Sequence, residues 1–175
     1  LAGLCAQRLA GAGHRARVQP MNAVELPQLR SAAGVLLVAS TFGDGDPPDN
    51  AVDFWQTLSQ ADPQALTDSR FSVLALGDSS YRQFCGFGRR LDERLAALGA
   101  ERIQPRLDCE PDYQAPAERW LVELCARLGS SINADGPVKA NGNASDAAGL
   151  PLPLRPSAAP SPRSVTLTRV PSPCE

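Results

Sequence analysis

Two seven-residue apolar runs constrain this chain more than anything else in it: residues 34–40 (GVLLVAS) and 71–77 (FSVLALG). Neither alternates apolar with polar, so neither can lie with one face in water; each demands cover on both faces. Strands buried in that way belong to parallel sheets, whose long crossovers carry the covering helices. Helical patterns stand where crossovers are needed, at residues 51–60 after the first run and 84–98 after the second, the latter stopped by Gly99. The first of these is expected to be capped by Asp49 or Asn50. Residues 102–108 (RIQPRLD) form a weaker strand, which Pro105 demotes to an edge or bulged position because proline cannot donate to a ladder. A last helix spans 116–128, with Pro116 in its first turn and Gly129 after its end. Upstream, residues 1–12 read as an amphipathic helix with Leu1, Leu4, Cys5 and Leu9 along one face, closed by Gly11 and Gly13. Residues 15–21 (RARVQPM) then read as a short strand. Strands alternating with helices in this order give the α/β class, with a mostly parallel sheet.

Bulk properties exclude several functions. The 175 residues suffice for one domain plus extra sequence, and a hydrophobic fraction of 43% supplies a core. A net charge of −2 leaves no basic footprint for nucleic acid. No apolar run approaches the roughly 20 residues that span a bilayer. The N-terminus lacks a basic region followed by an apolar core, so no secretory leader is expected. The five cysteines (Cys5, Cys85, Cys109, Cys125, Cys174) are odd in number and contain no CxxC pair. That favours a reducing, cytoplasmic setting over a disulfide framework or a zinc site. The single histidine, His14, stands at a helix end and reads as a capping or surface residue. The chain opens on Leu1 inside a helical pattern, so a fragment is expected. From about residue 130 the composition turns to Pro, Ser, Ala, Gly and Asn, and residues 129–175 read as a flexible linker. Within it, residues 164–170 (SVTLTRV) alternate like a strand that has nothing to pair with, and could open a further domain.

In an open parallel α/β sheet, ligands bind beyond the carboxyl ends of the strands. Two loops leave such ends: Ser40, Thr41, Phe42, Gly43, Asp44, Gly45 and Asp46 after the first run, and Gly77, Asp78, Ser79, Ser80 and Tyr81, leading to Phe84, after the second. Each offers short hydrogen-bonding residues, glycines for tight turns and one aromatic. Two aromatics on adjacent loops suit a flat heteroaromatic ligand; singly, each would suit an ordinary core turn.

The segments STFGDGDPPDNA and LALGDSSYRQFCGFGRRLDERLAALGAERI resemble the two flavin-facing segments of the flavodoxin-like FMN-binding domain of diflavin reductases. RLDCEPDYQAPAERW (residues 106–120) is most similar to the sulfite reductase type, the NADPH-dependent flavoprotein alpha subunit. The resemblance covers about residues 1–128. It implies a flavodoxin-like, doubly wound parallel sheet and FMN as cofactor, with Phe42 and Tyr81 flanking the isoalloxazine. Backbone from Thr41 to Gly45 and from Gly77 to Tyr81 would bond its edges, with Ser40, Leu76, Phe84, Cys85 and Asp108 completing the site and residues 107–113 beside the ring. No residue is implied as a catalytic acid, base or nucleophile, and no metal ligand. The module would relay single electrons from an FAD/NADPH reductase domain of the same chain to a metal-containing acceptor such as the sulfite reductase hemoprotein. The family's first strand and its phosphate loop precede the first helix. They are expected to be lacking here, leaving two strand flanks unpaired and FMN binding by this chain weak or lost.

Charge and glycine placement add two expectations. Between Phe42 and Ser69 stand six aspartates (44, 46, 49, 53, 62 and 68) and no basic residue, with Asp108, Glu110 and Asp112 joining the rim. Negative charge there would keep reduced flavin a good donor and steer a basic partner surface. Gly43 and Gly45 could flip a peptide toward a protonated ring nitrogen, tuning the one-electron state. The alternatives are a stand-alone flavodoxin-like carrier or an inactive fragment. A GDS-type serine hydrolase would require a base for Ser79, and the only histidine lies upstream. DGDPPD fails as a calcium loop, since the positions that need Gly and Glu hold Asp49 and Trp55.

Overall fold

The computed structural model describes residues 1–130 and 164–169. Its strands are β1 (Arg15–Pro20), β2 (Gly34–Ser40), β3 (Arg70–Leu76), β4 (Glu101–Arg102), β5 (Leu107–Cys109) and β6 (Ser164–Arg169). The helices are α1 (Ala2–Gly11), α2 (Leu26–Ser31), α3 (Val52–Gln60), α4 (Gly86–Ala97) and α5 (Gln114–Ser130). Every pairing between these six strands is parallel, in the order β1-β6-β2-β3, with β4 and β5 both on the outer flank of β3.

The two apolar runs are β2 and β3 at the middle of this sheet, and both are buried on each face. Alternate residues of β2 enter different layers. Val35, Leu37 and Ala39 join Phe54, Leu58, Phe87 and Leu91 of α3 and α4. Leu36 and Val38 join Cys5, Leu9, Leu121 and Leu124 of α1 and α5. Each such Leu or Phe contributes about 1.5–3 kcal/mol when fully buried, so a polar residue within either run would be costly.

Helix ends follow local chemistry. Gly13 (φ +86°) and Gly99 (φ +91°) close α1 and α4 in the left-handed conformation, with His14 N–H donating to Leu9 O and Ala100 N–H to Leu95 O. His14 thus terminates a helix, as its position indicated. Gly129, by contrast, lies within α5 and does not stop it. A short helix, α2, was not read from sequence; its signal was Glu25 followed by Gln28, whose Oε1 accepts the Glu25 N–H. Asp49 and Asn50 sit in a short 3-10 turn, and α3 starts from Ala51 without a side-chain cap.

The bulged edge is present. Between the pairs Phe71↔Arg102 and Leu74↔Leu107, β3 advances three residues while the outer chain advances five. Pro105 falls in the excess, and Trp120 of α5 fixes it by donating Nε1–H to the Pro105 carbonyl.

One expectation is overturned. Ser164–Arg169 does pair, inserting between β1 and β2 over its full length. The flanks expected to be open are closed by β6. Parallel pairing is non-local, and local periodicity says nothing about which distant strand will provide a partner. The rest of the linker expectation, residues 131–163 and 170–175, lies outside the described residues.

Candidate functional site

Because the strands are parallel, their carboxyl ends share one edge of the sheet. The loops after β2, β3 and β5 meet there through a chain of backbone bonds: Thr41 N–H donates to Leu76 O (3.2 Å), Gly77 N–H to Cys109 O (3.0 Å), and Ser79 N–H to the Glu110 carboxylate (3.2 Å). The segment that follows β5 therefore lies beside the other two loops.

The first loop is a tight hairpin. Phe42 and Asp46 exchange both backbone bonds (3.0 and 2.8 Å) around Gly43, Asp44 and Gly45. Gly43 (φ +49°) and Gly45 (φ +101°) adopt the left-handed region that closes so short a loop. Among the described residues, no hydrogen bond uses the N–H groups of Gly43, Asp44 or Gly45. The side chain of Thr41 turns inward, where its Oγ1 accepts the Phe87 N–H (3.2 Å) in the first turn of α4. The hairpin is held from the other side by Arg90, which donates to the Gly45 carbonyl, lies 3.7 Å from the Asp46 carboxylate and covers the Trp55 ring at 5.3 Å.

The second loop satisfies itself more fully. Ser80 N–H donates to Asp78 Oδ1 (2.9 Å) and Tyr81 N–H to the Asp78 carbonyl (3.1 Å). With Gly77 and Ser79 also engaged, only the Asp78 N–H among residues 77–81 lacks a described partner. The Ser80 hydroxyl and N–H hold the Asp78 carboxyl below its ordinary range. Cys85, in the left-handed region (φ +53°) at the start of α4, is buried, and its thiol points at the Cys109 carbonyl (3.8 Å). Burial, and then the Asp108 charge, push that thiol up to about 12.

Phe42 and Tyr81 are 64% and 61% exposed, so neither is a core aromatic. Ser40, Leu76, Gly77 and Phe84 are half-buried at the bases of the loops, whereas Asp44, Asp78 and Ser79 are exposed. Asp108 does not stand free. Arg106 clamps it at two points (2.7 and 3.1 Å), and also reaches buried Asp92 (3.4 Å), which is itself gripped by Arg102 (2.9 Å twice). These carboxylates raise both guanidinium pKa values, Asp108 that of Arg106 and Asp92 that of Arg102. The negative rim is thus reduced at Asp46 by Arg90, which comes from a distant segment that a local count of charges could not include, and at Asp108 by Arg106, two residues before it.

Small size is required where α4 meets the first loop. A Cβ on Gly86 would lie 2.9 Å from the Gly45 Cα. Beside this contact a cleft of about 170 Å³ is lined by Asp44, Gly45, Gln83, Gly86, Arg89 and Arg90. That is below the roughly 300–1,000 Å³ of an enclosing ligand pocket, so the chemistry available is that of an open face. Two exposed rings, three N–H donors and an acceptor carboxylate suit a flat heteroaromatic group with polar edges. Hydrolase chemistry does not fit: His14 precedes β1 and Ser79 follows β3, at opposite edges of a parallel sheet. Among the described residues no group of His, Cys, Asp or Glu could hold a metal ion, and no helix is long and apolar enough to cross a membrane.

The family model for flavodoxin matches residues 1–120. The sulfite reductase [NADPH] flavoprotein alpha-component of Bacillus subtilis is 46% identical over 121 residues, 69% of this chain and 20% of that protein. The corresponding protein of Shewanella sp. (strain MR-4) is 34% identical over 147 residues, 84% of this chain and 24% of its own length. The chain therefore spans about a fifth to a quarter of these two relatives. Among solved structures, the Streptococcus pneumonia TIGR4 flavodoxin superposes with a TM-score of 0.65 at 22% identity, covering 74% of this chain and 87% of that one. A cysteine-to-serine mutant of the flavodoxin from Pseudomonas aeruginosa gives a TM-score of 0.61 at 29% identity, covering 71% of this chain and 86% of that one.

Proposed function

Since this chain belongs to the flavodoxin family, we propose that it is the FMN-binding, electron-transferring module of an NADPH-dependent flavoprotein oxidoreductase of the sulfite reductase type. The observation that carries this reading is the meeting of three strand-end loops at one sheet edge, with Phe42 and Tyr81 exposed on two of them. The similarity to alpha-components of sulfite reductase supports the choice among flavodoxin-like functions.

FMN, when bound, supplies the redox chemistry, and the chain supplies position and electrostatics. Phe42 and Tyr81 offer ring faces. The N–H groups of Gly43, Asp44 and Gly45 offer donors to the polar ring edge, and the loop of residues 77–81, already bonded internally, supports the Tyr81 ring on a fixed backbone. Ser40, Leu76, Phe84 and Cys85 form the base beneath these loops, and Arg106 holds Asp108 near Cys85. Exposed Asp44 and Asp49 leave a negative margin to the site, suited to a basic partner surface. In this reading electrons arrive from an FAD/NADPH reductase domain and leave for a metal-containing acceptor such as a sulfite reductase hemoprotein.

Titration of FMN fluorescence with the chain tests the reading. Binding by the chain alone is expected to be weak, so the titration should extend to roughly millimolar protein. Phe42→Ala and Tyr81→Ala should each weaken it severalfold, up to about tenfold, because one aromatic contact contributes about 0.5–1.5 kcal/mol. Both side chains are exposed, so circular dichroism should stay unchanged. Equal affinity in both variants and the parent would refute the assignment.

A further inference from the structure

The first loop is fixed unevenly along its length. The peptide unit joining Gly45 to Asp46 is engaged at both ends: its N–H donates to Phe42 O (2.8 Å) and its carbonyl accepts from Arg90. The units joining Gly43 to Asp44 and Asp44 to Gly45 have, among the described residues, no hydrogen bond at either end. Glycine at positions 43 and 45 leaves several backbone orientations open to so short a turn. The hold on the Gly45 carbonyl therefore has most to do with which turn is adopted.

That hold is built from α3 and α4. Gly86 lies against Gly45, where an added Cβ would come within 2.9 Å of the Gly45 Cα, and Arg90 stands one helical turn further along the same face. The guanidinium covers the Trp55 ring at 5.3 Å, and Trp55 in turn meets Phe87 edge-on at 5.9 Å. Its approach to the Asp46 carboxylate is looser, 3.7 Å between partly exposed groups, a kind of pair that contributes little. Arg90 Nε is buried without a partner. An arginine placed to neutralise a carboxylate would use its planar fork at two points. Arg90 does not. The Trp55 face and the Gly45 carbonyl determine where it lies.

We propose that Arg90 is a positioning residue for the ligand face of the first loop. By holding the Gly45 carbonyl against α4 it selects the turn in which the N–H groups of Gly43, Asp44 and Gly45 stay unbonded and available to a ligand. The identity of that ligand rests on the flavin reading above; the hold on the carbonyl does not. The bond from a charged donor is stronger than a neutral one, and it acts on the peptide unit whose other end closes the hairpin. Loss of Arg90 should thus loosen the hairpin without disturbing the sheet beneath it.

Amide hydrogen exchange followed by NMR on the full 175-residue chain tests the hold without any flavin. Arg90→Met keeps an apolar stem over Trp55 and removes the donor. The Phe42 and Asp46 N–H groups should then exchange about tenfold faster, while Leu37 and Val73 in the central strands keep their protection. Asp46→Asn removes the ion pair but not the carbonyl bond, and should leave exchange as in the parent. The positioning role is read by adding FMN at roughly millimolar concentration. FMN should move the amide resonances of Gly43, Asp44 and Gly45 in the parent and severalfold less in Arg90→Met, with the shift at Tyr81 retained. Unchanged exchange in Arg90→Met, or equal acceleration in Asp46→Asn, would overturn the hold on the carbonyl. Faster exchange with FMN-induced shifts equal in the parent and Arg90→Met, or absent from the parent, would leave Arg90 a structural clamp and overturn its positioning role in this chain.

Discussion

Gly88 is the position at which a single methyl group should do the most damage. It lies in α4 directly over Ala75 of β3, and a Cβ there would sit 2.3 Å from the Ala75 Cβ and 3.3 Å from its Cα. Carbon atoms pack best at about 3.5–4.0 Å, so Gly88→Ala requires α4 and β3 to part by roughly 1.2–1.7 Å at this contact. Two effects of opposite sign compete. Alanine gains about 1 kcal/mol over glycine in a helix interior. Overpacking a core typically costs about 1–3 kcal/mol and sometimes more. Here the overlap is between a core helix and a core strand, neither of which is a flexible side-chain tip, so the upper end applies. The net expectation is a loss of about 2 kcal/mol. Gly3→Ala in α1 isolates the favourable effect, because nothing lies within 4 Å of its added Cβ. It should gain about 0.5–1 kcal/mol. Urea unfolding followed by circular dichroism measures both, as midpoint shifts at constant slope. Gly88→Ala should also weaken FMN binding, since the first turn of α4 is tied to Thr41 through Phe87 N–H. A Gly88→Ala variant as stable as the parent would refute the packing argument, and opposite signs at the two sites would support it.

Ser72 is fully buried in β3, and its hydroxyl has no partner among the described residues. Ser72→Ala should therefore stabilise the fold by about 1 kcal/mol, read from the same urea curves, whereas a loss would reveal a partner for the hydroxyl. Asp78 carries a carboxyl held below its ordinary value of 3.8 by Ser80. Its contribution to loop order is complete above the unfolded-state pKa, near 3.9, and is lost as pH falls through the lower folded value. A side-chain NMR titration should place its midpoint below 3.8 and Ser80→Ala should bring it back up; a midpoint at the ordinary value in the parent would contradict the geometry. Burial pushes the thiols of Cys5 and Cys109 up to about 11 and that of Cys85 to about 12. Mass mapping after iodoacetamide at pH 8 should find all three unmodified until urea unfolds the chain, and rapid labelling of Cys85 in the native state would show that α4 starts elsewhere.

The parts of this protein that depend on neighbours in sequence were legible in the residues. Continuous apolar runs can only be strands covered on both faces, so residues 34–40 and 71–77 announced a parallel sheet and its helices. Pro105 announced a broken edge for the same kind of reason, a missing donor. The loops that leave those strands, with Phe42 and Tyr81 in them, were also visible, because a turn needs small and polar residues wherever it falls. Even so, the Asp49 cap failed: the preference of aspartate for such positions is an average, and the chain between Pro48 and Val52 takes a 3-10 turn instead.

What the tertiary structure alone decided is whatever joins distant segments. Arg90 of α4 reaches the Gly45 carbonyl and the Asp46 carboxylate, so the charge at the first loop differs from the sum along it. The Thr41 hydroxyl accepts the Phe87 N–H from 46 residues along the chain. Ser164–Arg169, apparently without a partner, fills the interior of the sheet. Periodicity reports how an element presents its faces to water and core. It carries no information on which remote backbone will satisfy its hydrogen bonds, because that is settled by the shape left between the other elements once they have packed.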